Sequence, residues 1–169
     1  MKGLIMKIND YILKIKKLGA CEEAVKAAHE YKTSQELWDD CLRGDWMLWL
    51  IGELSGKPGN EKRKPLVITA CKCARLVLEY VPKDELRPLK AIETAEKWAK
   101  GEATIQEVKE AAASAYAAAA AYAAASAYAA YAAYAAYATY AAYATREKTL
   151  SKCADIVRKD YPNVDGLWE

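Results

Sequence analysis

Between residues 111 and 145 the chain carries no charge, no glycine and no proline, and it is equally without leucine, isoleucine, valine and phenylalanine. Each absence closes off a class of structure or function. Without Gly or Pro nothing breaks a helix, and the Ala that fills most of the tract has the best intrinsic helix propensity because it loses no side-chain entropy. Without large aliphatics the tract lacks the residues that supply most of the energy of membrane insertion, so no transmembrane span is expected. Without Lys or Arg among its aromatics it makes no nucleic-acid groove, which needs cations interleaved with stacking platforms. A regular Thr row, which an ice-binding helix would need, is also missing.

What the tract does hold is tyrosine. Tyr116, Tyr122 and Tyr128 are six apart, and Tyr128, Tyr131, Tyr134, Tyr137, Tyr140 and Tyr143 are three apart. At roughly 100° per residue, a step of three turns each ring back by about 60°, so the tyrosines wind around the helix and form no single stripe. A helix moderately apolar all round is usually surrounded by other helices. The pattern therefore predicts the central element of a bundle, with Ala allowing close approach and Tyr filling gaps. A triplet repeat expanded within a tolerant helix explains the same pattern and would make the tract scaffold.

The rest of the chain is poor in chemistry-bearing groups. His29 is the only histidine. Cys21, Cys41, Cys71, Cys73 and Cys153 are odd in number and spread out, with no C-x-x-C pair and no histidine at zinc spacing, so they read as small hydrophobes in a reducing compartment. Asp39 and Asp40 are adjacent and diverge on a helix, a poor arrangement for paired acid–base work. No nucleophile–base pair and no metal set can be read, so neither an enzyme nor a cofactor or metal is expected. The net charge of +2 gives no reason to expect duplex nucleic acid as a partner. The opening MKGLIMKINDYILKIKK threads charge through its apolar residues and has no cleavage site, which fits a cytoplasmic protein rather than a secretory signal.

At 169 residues the chain is most simply a single-domain, all-α bundle of seven to eight helices. Charged amphipathic helices occupy 1–110, the uncharged tract 111–145 and a helix end 146–161. Helices are expected over 10–18, closed by Gly19, and over 20–31. Thr33 and Glu36 form a capping box for a third, QELWDDCLR, ending at Gly44, after which Asp45 caps a fourth, WMLWLIGEL. Residues 55–64 are loop, Pro65 opens a fifth helix that runs to Tyr80, and Pro88 opens a sixth that ends before Gly101. Thr104 and Glu107 repeat the capping box. One helix from 104 to 161 would be about 87 Å long, against a radius of gyration of about 15 Å for a compact chain of this size. Either the tract breaks, with Ser126 able to cap a new start, or a second subunit covers it in a homo-oligomer.

Two clusters are candidate binding residues. Trp46 and Trp49 share a helix face with Leu50, beside Arg43 and Asp45, and Trp and Arg dominate binding hot spots. Arg43, Asp45, Trp46 and Trp49 would anchor a partner, or the same residues simply close a helical hairpin. The second cluster is basic: Lys62, Arg63 and Lys64 with Lys72 and Arg75, three apart on the next helix. These would hold a phosphate or an acidic protein surface, or form a solvated loop balanced by Glu53, Glu61 and Glu79.

The order ACEEAVKAA, CLRGDWMLWLIGEL, LVITACKCARLVLEYVP, then LKAIETAEKWAKGEATIQEVKEAAASAYAAA resembles the immunity proteins of bacterial polymorphic toxin systems. It resembles in particular the immunity-protein-five-like group, which also occurs in phage genomes. The resemblance covers about residues 18–160. It implies an all-α domain that neutralises a protein partner without catalysis, with no catalytic set to carry over. The neutral Ala/Tyr run departs from the acidic surface typical of an inhibitor of basic nucleases. The leading expectation is thus an immunity protein against a toxin, or a phage-borne anti-defence inhibitor of a bacterial enzyme. The alternative is a sponge for a nucleotide signal, with Tyr rings stacking the base and Lys and Arg of 62–75 holding phosphate.

Overall fold

The structure, a computed structural model, describes residues 5–57, 60–81, 83–115 and 135–168. They are all-α: α1 (Ile8–Lys17), α2 (Glu22–Ala28), α3 (Ser34–Asp40), α4 (Gly44–Leu54), α5 (Lys64–Arg75), α6 (Arg87–Lys100), α7 over residues 105–115, and α8 (Ala135–Asp160). Short 3-10 turns lie at Glu61–Arg63, Leu78–Tyr80 and Asp165–Trp168. An isolated antiparallel bridge joins Lys7 and Thr33. The expected break at Ser126 lies outside the described residues, as do most of the tract's tyrosines.

Backbone contacts divide the chain into two compact units. The first comprises residues 1–58 and 150–169, the second residues 59–149.

In the first unit α1 buries Tyr11, Ile12 and Ile15, positions one and four apart that share one face of a 3.6-residue helix. Asp10 lies in its first turn and Lys14, Lys16 and Lys17 in its last, each complementing the helix dipole. Thr33 caps α3 as expected: its hydroxyl accepts from Glu36 N (3.1 Å) while the Glu36 carboxylate accepts from Thr33 N (3.3 Å). Helix α3 buries Trp38, which is only 2% exposed and donates its indole N–H to Tyr161 O at 2.8 Å. A buried Trp needs such a partner for its one polar atom. Met47, Leu50 and Ile51 of α4 and Ala154 and Val157 of α8 complete this core.

The third helix departs from expectation. It ends at Asp40, and Cys41 is extended (ψ 122°) instead of carrying the helix to Arg43. The side chain of Arg158 supplies the reason: its Nη1 donates to the carbonyls of Cys41 (2.6 Å) and Trp38 (3.3 Å), satisfying helix-end acceptors that would otherwise lack partners. Gly44 consequently begins α4 and terminates nothing. Nor does Asp45 cap that helix; it is the second residue, and its carboxylate is taken by Arg43.

The C-terminal residues 161–168 fold onto the start of the chain. Asn163 Oδ1 accepts from the amides of Asp165 (3.0 Å) and Gly166 (3.3 Å), a turn that aims Asp165 inward. Asp165 then accepts from Met6 N (3.1 Å) and from the Ser34 hydroxyl (2.5 Å).

In the second unit α5 packs on α6. Pro sits in the first turn of each, where its missing N–H costs nothing. The fifth helix stops at Arg75, short of the expected Tyr80, and the chain finishes as a 3-10 turn. Gly101 closes α6 at φ 83°, a left-handed conformation that a side chain would disfavour. Thr104 and Glu107 form the second expected capping box, with Glu107 N to Thr104 Oγ1 at 3.2 Å and Thr104 N to Glu107 Oε2 at 2.7 Å. No helix among the described residues is long and apolar enough to cross a membrane.

Candidate functional site

The RGDW segment forms a tight polar-aromatic corner at the start of α4. Arg43 makes a two-pronged contact with Asp45, Nε to Oδ1 at 2.8 Å and Nη2 to Oδ2 at 2.6 Å. The same guanidinium lies over the Trp46 ring, 4.2 Å from its centroid, and approaches Glu23 at 4.0 Å. Planar Arg suits this double duty, because it pairs in its plane and stacks on its face. Burial works to raise the Asp45 carboxyl, but the hydrogen bond and charge of Arg43 outweigh it and hold the group below its ordinary 3.8.

Trp46 and Trp49 are half-buried and line an apolar cleft with Ala24, Leu37, Trp38 and Cys41. Its free space is about 40 Å³. That suits the tip of one side chain and falls far below the roughly 300 Å³ at which small-molecule sites begin. Leu42, on the connection into the corner, is 62% exposed. The structure thus brings Arg43, Asp45, Trp46 and Trp49 together, with the buried Trp38 forming part of the cleft floor beside them.

The basic residues are arranged differently. Arg75 is held by Glu96 through two hydrogen bonds, 3.0 and 2.8 Å, and Lys64 pairs with Glu61 at 2.7 Å. The Glu96 hydrogen bond raises the Arg75 pKa further, and Arg75 lowers that of Glu96. Lys62 and Lys72 are exposed and Arg63 is half-buried. Glu96 was not foreseen as a partner; its position on α6, 21 residues from Arg75, leaves no local trace. A cavity of about 340 Å³ in this unit is lined by Arg87, Lys90, Thr94, Glu107, Glu110, Ala111 and Ser114. It includes none of the five basic candidates and no aromatic ring.

The cysteines are placed as small hydrophobes in three of five cases. Cys71, Cys73 and Cys153 are buried, Cys41 is half-buried, and Cys21 is exposed at the cap of α2. Burial pushes the Cys71 thiol up to about 11.

The described residues thus form an all-α chain with an aromatic–arginine corner beside a small apolar cleft. Residues 57–159 match the Imm-5 like putative immunity protein family, and since that is more than half of the chain, the protein belongs to this family. The match begins after the Trp corner and takes in the basic segment. No curated protein and no solved structure matches the chain.

Proposed function

We propose that this protein neutralises a partner protein by binding and occluding it, without catalysing a reaction. Membership of an immunity-protein family over residues 57–159 carries the reading. The partner is a toxin of the polymorphic kind or, for a phage-borne copy, a bacterial defence enzyme, met in the cytoplasm. The contact surface centres on Arg43, Asp45, Trp46 and Trp49, where two half-buried indoles and a stacked guanidinium provide hot-spot chemistry. Lys62, Arg63, Lys64, Lys72 and Arg75 are a separate candidate contact, carried by the other unit. The pairing of Arg75 with Glu96 and of Lys64 with Glu61 weighs against a nucleotide sponge, since a phosphate would have to displace two carboxylates.

The test is a pull-down of tagged protein from host lysate, with the bound material analysed for proteins by mass spectrometry and for small molecules released on heating. One stoichiometric protein partner is expected. A released nucleotide with no protein would overturn the proposal.

A further inference from the structure

One stretch of α8 holds the connection between α3 and α4 at both of its ends. At the start, Arg158 Nη1 donates to the carbonyls of Cys41 (2.6 Å) and Trp38 (3.3 Å), while its Nη2 donates to the Asp155 carboxylate (2.5 Å). At the finish, Gly44 lies directly against Cys153 and Ala154. Between these two holds run Cys41, Leu42 and Arg43, and Arg43 is the residue stacked on Trp46. Trp38 and Cys41, whose carbonyls Arg158 takes, also line the cleft with Trp46 and Trp49. Arginine suits this post, because its planar fork of five N–H donors meets two carbonyls and a carboxylate at fixed angles, whereas an ammonium acts as a point charge. The Arg158 side chain is 20% exposed, so water competes little for its donors, and the more exposed Asp155 orients the fork.

We infer that Arg158 is a positioning residue for the contact corner: by fixing the main chain at Trp38 and Cys41 it presents Arg43 and Trp46 to a partner protein while touching no partner itself. The inference rests on the proposed inhibitor function and adds to it a residue of the family-matched span 57–159, although the corner itself lies before that span. The local sequence favours a helix that runs on through QELWDDCLR to Arg43, and the structure ends it at Asp40 with Cys41 extended. Without Arg158 the two carbonyls lose their partner, and the helix is free to satisfy them by adding residues. Each residue added turns the chain by about 100°, which carries Arg43 away from the Trp46 ring.

The experiment reads the Trp46 contribution to near-ultraviolet circular dichroism of the full chain, as the difference between a background and the same background carrying Trp46→Phe. Held against Arg43, Trp46 should give a band in the wild-type background that largely disappears in Arg158→Ala, with helix content unchanged in the far ultraviolet. Ile12→Ala, a core truncation on α1 outside the cleft lining, destabilises the same unit and is expected to keep the band. A band that survives Arg158→Ala, or that Ile12→Ala removes as well, would overturn the inference. If Arg158→Ala loses native helicity, Arg158→Lys, which keeps the charge but not the fork, is read by the same criteria. The second reading is affinity for the protein that the wild-type chain captures from lysate. Arg158→Ala should weaken it about tenfold, and by little more when Trp46→Ala is already present, because a residue acting through the corner has no effect once the corner is gone. No loss, or equal losses in both backgrounds, overturns the inference and leaves the inhibitor reading in place. If the wild-type chain captures no protein, the inhibitor reading fails and the circular dichroism alone decides whether Arg158 holds the corner.

Discussion

Gly44 faces Cys153 so closely that a Cβ built on the glycine would lie 2.5 Å from the Cys153 Cβ and 2.6 Å from the Ala154 amide nitrogen. The first turn of α4 therefore rests directly on the backbone of α8, and the glycine of the RGDW corner is required for packing. Its φ is not in the left-handed region, so conformational freedom is not the issue. Gly44→Ala gains up to about 1 kcal/mol of helix propensity, but the backbone atoms it meets cannot turn aside as a flexible side chain would. Overpacking of this kind costs about 1–3 kcal/mol. A net loss of stability is expected in urea denaturation, with an unchanged slope, and Cys153→Ala should not relieve it, since the Cβ and backbone atoms that the new methyl meets all stay.

Asp45 makes the corner sensitive to acid. Its carboxyl is held below 3.8 in the folded protein because the Arg43 hydrogen bond and charge outweigh burial. A lowered pKa contributes stability that is fully present above the unfolded value and is lost as pH falls through the folded one. The wild-type chain should thus lose stability relative to Asp45→Asn below about pH 4, and the two should run parallel above it. Thermal melts at pH 3 and pH 7 compare them. The effect will be modest, because 38% of the Asp45 side chain meets solvent.

Thiol reactivity should sort the five cysteines by burial. Cys21 is exposed and is expected to react with a maleimide first, followed by half-buried Cys41. Burial raises the Cys41 thiol despite the lowering effects of the Arg43 backbone and the charge of Arg158. Cys71, with its pKa near 11, offers little thiolate at pH 8 and is shielded from the reagent as well. Mass-resolved labelling should show one fast site, one slower site and three that wait for unfolding. Fast labelling of Cys71 or Cys153 would contradict the packing described for both units.

Local chemistry was legible and long-range chemistry was not. The two capping boxes, Thr33 with Glu36 and Thr104 with Glu107, are complete within four residues of sequence, so their hydrogen bonds could be expected without a structure. Gly101 and the first-turn prolines are legible for the same reason. The early end of α3 was not, because the group that satisfies its carbonyls, Arg158, lies 117 residues from Cys41. The fate of Arg75 likewise turned on Glu96. The fold of the C-terminal residues had one overlooked signal, the turn chemistry of Asn163 followed by Asp165 and Gly166, but its target on Ser34 and Met6 is set by tertiary packing. For the candidate corner, residue types marked the four residues, whereas the stacking of Arg43 on Trp46 is a matter of side-chain geometry that residue types do not give.

That stacking sets the last prediction, which separates the two candidate surfaces. Trp46 presents one face to Arg43 and is half-buried in the cleft wall, so Trp46→Ala deletes both the aromatic wall and the platform that positions the guanidinium. Hot-spot truncations of this type cost about 2 kcal/mol or more, close to a thirtyfold loss of affinity. Lys62→Ala removes an exposed cation from a short turn and should change affinity by no more than about threefold, as rim charges do. The comparison uses surface-immobilised wild-type and variant chains against the partner captured from lysate, with a growth assay that scores protection of cells carrying that partner. Loss of protection in Trp46→Ala with retention in Lys62→Ala places the contact on the corner. The reverse pattern would move it to the basic segment inside the family-matched span and leave the Trp corner a structural hairpin.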